Sequence, residues 1–164
     1  MIRESDIDWF CLVNGQPTHI ASMGGMIPKQ FCDSKELRSI QTVVAKMEPF
    51  VEVRLNYEIL QSQVAEGYEY LQDEIIRVAV EEANKNNPGY LYLSGMEIAI
   101  RLFASSFVEK ARRGFRSFAK LEGEEADVYV LIADPVNPLE YWEGMPELRS
   151  LKCELLDEGR RIVL

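Results

Sequence analysis

The sequence predicts an α+β fold, with a mostly antiparallel or mixed sheet that carries N- and C-terminal β-hairpins and three main helices packed on it. Three observations carry this. β-rich runs at 9–14 and 18–23 flank Asn14-Gly15, the dipeptide that best accepts the positive φ angles of a tight hairpin turn. Alternation returns near the other end, at Leu151, Cys153 and Leu155, turning at Asp157-Glu158-Gly159 and running back through Ile162 to Leu164. Between the two, apolar residues recur at helical spacing over three stretches, 34–47, 63–85 and 94–121.

After the first hairpin, Gly24-Gly25 and Pro28 break regular structure, and Asp33 with Glu36 forms a capping-box pattern. The helix at 34–47 then buries Leu37, Ile40 and Val44, with Met47 at its end. The next segment satisfies two periods at once. Val51, Val53, Leu55, Tyr57 and Ile59 alternate with polar residues as a half-buried strand does, while Val53, Tyr57, Leu60, Val64, Tyr68, Leu71, Ile75 and Val78 also trace a helical stripe. One helix over 49–85 would be roughly 55 Å long at about 1.5 Å per residue, against about 40 Å for the diameter of a compact domain. A strand at 51–59 followed by a helix at 63–85 is therefore preferred, and a helix broken at Gly67 is the alternative.

Asn84 to Gly89 reads as a helix end and turn, with a short strand expected at 90–93. Ser94 and Glu97 form a second capping box, from which a long helix is expected to run to Leu121 with Ala99, Ile100, Phe103, Phe107, Ala111 and Phe118 on its apolar side. Arg112, Arg113, Arg116 and Lys120 then fall on the opposite, solvent side. Glu122-Gly123-Glu124-Glu125 is an acidic turn. Val128 to Ile132, five apolar residues in succession, mark a buried strand ended by Asp134-Pro135. Pro135, Pro138, Gly144 and Pro146 punctuate an irregular connection carrying Tyr141 and Trp142.

A length of 164 residues, 47% of them hydrophobic and 27% charged, suits a single globular domain over 1–164. No apolar run reaches the ~20 residues of a membrane span, and the first six residues lack a secretory signal's apolar core, so a cytoplasmic address is expected. Three cysteines without a close pair favour reduced thiols. A formal charge of −9 makes nucleic acid an unfavourable partner. The charge is uneven, however. Residues 109–120 hold five basic side chains and one acidic one.

No motif names a reaction. His19 is the only histidine, and Cys32 precedes a predicted helix start, where the dipole favours a thiolate, so a thiol-dependent hydrolase or transferase using Cys32 and His19 is one expectation. Cys11, His19 and Cys32 lack the close spacing of a zinc site, and no metal or cofactor is expected. Gly24-Gly25 opens no helix and matches no phosphate-binding pattern. Asp134 ends a strand and reads as an Asp-Pro turn, while Glu82 lies near an apolar stripe in a final turn from which it can swing outward. The stronger expectation is a non-enzymatic binding or assembly domain. It would contact an acidic protein partner, or a second copy, through Arg112, Arg113, Arg116 and Lys120, with Trp142 as a second contact. Any small-molecule ligand is left unassigned.

Overall fold

The computed structural model describes residues 7–125, 127–140 and 145–164. In chain order the elements are β1 (Asp8–Val13), β2 (Gln16–Ala21), α1 (Ser34–Lys46), β3 (Val53–Leu55), α2 (Tyr57–Ala65), α3 (Tyr68–Asn84), α4 (Gly95–Ala111), β4 (Arg116–Ala119), β5 (Val128–Pro135), β6 (Ser150–Leu151), β7 (Glu154–Leu156) and β8 (Arg161–Val163). This is an α+β arrangement around a mixed sheet. The chain divides into two compact units, one formed by Met1–Asn56 with Phe107–Leu164 and the other by Tyr57–Ser106.

The first unit holds the sheet, in the order β6-β1-β2-β4-β5-β8-β7, with β3 also paired to β5. β1 and β2 pair antiparallel across Asn14 and Gly15, which take φ of 49° and 75°, the left-handed values that a two-residue turn between twisted strands requires. β7 and β8 pair antiparallel as well, and Leu151 lies outside that pair, in β6, which runs parallel to β1. β2 and β4 are parallel despite being far apart in sequence, so everything from α1 to α4 lies within the connection between them.

Register sorts the side chains onto two faces. Trp9, Cys11, Val13 and Ile20 pack with Ile27, Phe31, Phe118, Tyr129 and Ile162 on one of them. On the other, Phe10 and Phe115 meet Ile40 and Val44 of α1, along with Met145 and Leu148. α1 starts where the sequence predicts, because Asp33 accepts the backbone N–H groups of Lys35 and Glu36 at 2.8 and 3.2 Å.

The second unit is helical. The expected strand at 51–59 shrinks to β3, since Asn56 still bonds to β5 through both its backbone and its side chain, after which the chain turns helical at Tyr57. Both periods are thus real, one following the other. The helix expected at 63–85 is broken at Gly67, the residue before α3, so among the described residues four helices replace three. Residues 90–93 are not a strand, because Pro88 opens a 3-10 turn over Pro88–Tyr92.

The largest departure concerns the long helix. Its capping box is present, with Ser94 Oγ accepting from Glu97 N at 3.2 Å and Glu97 Oε2 accepting from Ser94 N at 2.8 Å. The helix nevertheless ends at Ala111. Gly114 takes φ of 89°, its N–H bonds to Ala111 O, and Phe115 N–H reaches back to Lys110 O. That pair of bonds closes a helix around a left-handed glycine. Residues 116–119 then form β4.

Candidate functional site

His19 is placed by the register of three strands. The two-residue turn sets Phe10 opposite it on β1, and parallel β4 sets Ser117 opposite it on the other side. Facing residues share a side of the sheet, so the three side chains stand together. The imidazole packs between Phe10 and Phe107, with ring centroids 5.2 and 6.1 Å away, and is fully buried. Its Nδ1 lies 2.6 Å from Ser117 Oγ. Asp8, diagonal to it across the hairpin, brings Oδ1 to 3.4 Å from Nε2, a long contact outside hydrogen-bond geometry.

Electrostatics orients this chain of groups. A lone pair on Nε2 would face a carboxylate, so the favourable tautomer carries its proton there, and Ser117 donates to Nδ1. Burial drives the His19 pKa below the usual 6.5, against the opposing pull of Asp8, so the ring is neutral at neutral pH. The Asp8 carboxyl is held below its ordinary value chiefly by the His19 ring N–H, against its own partial burial, and Lys110 adds to the effect. Asp8 is therefore anionic.

Serine, histidine and aspartate are the residue types of a hydrolytic triad, but here the order of exposure is reversed. Ser117 is fully buried, whereas the Asp8 side chain is 41% exposed. A nucleophile must reach its substrate. What this arrangement can do is fix a carboxylate at a surface. Asp8 opens into a cleft of about 190 Å³ bounded by Phe10, Gln41, Val44, Glu109 and Lys110. Gln41 Nε2 donates to Asp8 O at 3.0 Å, fastening α1 to the start of β1. A larger groove, about 830 Å³, runs past Lys29, Gln30, Ser150 and Lys152, whose side chains are all exposed. The His19–Ser117 pair adjoins the smaller cleft through Asp8.

The residues singled out from sequence fare unequally. Cys32 follows the 3-10 turn over Lys29–Phe31 and packs against the Trp9 and Phe31 face, so the sheet stands between it and His19. The pair required for thiol catalysis is not brought together. Burial also raises the pKa of the Cys11 and Cys153 thiols, away from reactivity. Among the described residues no group of three histidine, cysteine, aspartate or glutamate side chains is gathered as a metal site.

The solvent-facing basic stripe does not form, because all four of its members lie beyond the last residue of the helix, Ala111. Arg113 is buried, donating to Met47 O and Glu109 O at 2.8 Å each. Arg116 donates to Asp134 and to Gly159 O and lies over the Phe118 ring. Lys120 donates to Leu121 O and Glu124 O. Arg112 is the exposed member. Trp142 and Tyr141 lie outside the described residues. Asp134 accepts from both Arg54 and Arg116 and so joins β3, β4 and β5.

Sequence reasoning overlooked Asp8, Gln41, Lys110 and Ser117. The Asn14-Gly15 turn already fixes Asp8 diagonal to His19, so that neighbour was legible. Ser117 was hidden by the helix expected across it. No protein-family model, curated protein or solved structure matches this chain. Among the described residues no helix is long and apolar enough to cross a membrane.

Proposed function

We propose that the chain is a non-enzymatic cytoplasmic binding domain whose helical unit engages a basic, amphipathic protein segment. The observation that supports this is the outer face of α3, where Glu69, Asp73, Ile76 and Val80 follow one another at spacings of four, three and four. Ile76 and Val80 are 63% and 48% exposed, and Tyr92 just beyond α3 is 88% exposed. Single exposed apolar residues are ordinary, but two on one helix face beside two carboxylates form an amphipathic contact.

Charge selects the occupant. The unit Tyr57–Ser106 carries eight carboxylates against three cations, so a second copy would be repelled and a cationic partner attracted. The surface thus differs from the basic stripe expected from sequence, and so does the sign of the partner.

A Leu/Lys amphipathic helical peptide is the probe. It is expected to bind more tightly than its Leu/Glu counterpart, and to lose about tenfold or more in affinity with Ile76→Ser/Val80→Ser, whereas Leu156→Ser on β7 leaves binding unchanged. Equal binding by all three proteins would refute the assignment to α3. Light scattering is expected to return a monomer mass, and a dimer abolished by the double substitution would identify self-association instead.

A further inference from the structure

We propose that the cleft between β1, α1 and the last turn of α4 is a binding site for a small free α-amino acid, with Asp8 receiving its ammonium group and Lys110 its carboxylate. The site lies wholly within the sheet-bearing unit and is independent of the α3 surface.

Three observations converge here. First, Asp8 is a prepared acceptor. The buried His19 ring, itself held by Ser117, faces one oxygen of the carboxylate, and Gln41 fixes the Asp8 backbone. The carboxylate lines the cleft with its side chain 41% exposed, so a ligand there can reach it. A carboxylate whose backbone is fastened and whose one side is closed by a buried ring loses less entropy on binding than one on a free segment.

Second, an opposite charge stands across the same small cleft. Lys110 is only 17% exposed and lies within electrostatic reach of Asp8 without forming an ion pair with it. It is 3.4 Å from Glu109, which is also shared with Arg113 at 3.3 Å. An ammonium has three donors, and this contact uses one of them. A ligand with a cationic and an anionic end can bridge the two side chains where they do not bridge each other.

Third, size and walls limit what lies between the charges. A volume of about 190 Å³ falls below the roughly 300–1,000 Å³ of drug-sized ligand pockets and so suits a small molecule with few heavy atoms. Phe10, Val44 and Ala45 supply apolar wall, which favours a methyl group over a hydroxyl.

L-alanine is the test ligand, with L-alaninamide as the amine-only probe and propionate as the acid-only one, followed by calorimetry and by the ring resonances of His19. Saturable binding of L-alanine in the millimolar range or tighter is expected, with a shift of the His19 resonances. Each half-ligand should bind about tenfold or more weaker, and Asp8→Asn and Lys110→Met should each cost L-alanine a similar factor. Both substitutions lie at the cleft rim, and circular dichroism will establish that they fold. Absence of saturable binding by L-alanine, or affinity unchanged in both folded variants, overturns the proposal. Binding of L-alaninamide as tight as that of L-alanine removes the carboxylate arm and refutes it as well.

Discussion

Gly114→Ala is expected to destabilise the protein by about 2–5 kcal/mol, read as a fall in the urea midpoint. Two costs combine. At φ of 89° the residue lies where an L side chain is disfavoured by roughly 1–2 kcal/mol. A Cβ there would also stand 2.6 Å from Leu139 Cβ and 2.7 Å from Leu139 N, and the latter is backbone held in place by its own hydrogen bond to Gly114 O. Neither atom can swing aside, so relief requires moving the 139 segment, an overpacking cost of roughly 1–3 kcal/mol. Gly123 separates the two contributions. It has φ of 83° with nothing within 4 Å of a built Cβ, so Gly123→Ala should show the conformational cost alone. Equal losses at the two positions would mean that Leu139 gives way freely and that the close approach is not what requires glycine.

The same glycine explains what the sequence did and did not disclose. Phe107, Ala111, Phe118 and Leu121 satisfy helical spacing across it, and periodicity is blind to a reversal of chain direction. Phe118 is buried as that pattern requires, but from a strand. Gly114 was the available signal, since a glycine just past the last turn is how helices commonly close. Weighing it would have ended the helix at Ala111 and dissolved the basic stripe with it. The first hairpin and α1 were legible because their signals are local, a two-residue turn and an N-cap aspartate. Segment 51–59 was ambiguous for a physical reason, because Asn56 hands the chain from one period to the other within a single residue. The pairing of β2 with β4 could not be read, since no local pattern records a parallel contact across so long a connection. Ser117 arrives beside His19 by that contact, so the buried end of the polar chain was invisible while its surface end, Asp8, was not.

Acidification is expected to weaken the fold from about pH 6.5 downward, and His19 is the cause. Its folded pKa lies below the ordinary 6.5 because burial penalises the imidazolium, with Lys110 acting the same way and Asp8 and Glu109 opposing. The unfolded chain therefore takes up the proton first. Wherever the unfolded state binds more protons, stability rises with pH, so this contribution is complete above pH 6.5 and is lost as pH falls toward the folded pKa. One proton sets a limiting slope of about 1.4 kcal/mol per pH unit. Asp8 adds a second loss below about pH 3.8, because its folded pKa is lowered too, chiefly by the neighbouring His19 ring. Urea midpoints measured from pH 7.5 to 4.5 should fall for the native chain and stay nearly flat through pH 6.5 to 5 for His19→Gln, which can still bond Ser117 but cannot titrate. The native chain offers an independent check, because its single histidine gives a single set of imidazole resonances to follow. Those resonances should remain those of the neutral ring through pH 6.5 in the folded state. A normal titration there, with the midpoint of unfolding unmoved, would show that the ring reaches water and that Asp8 is not held by a buried donor.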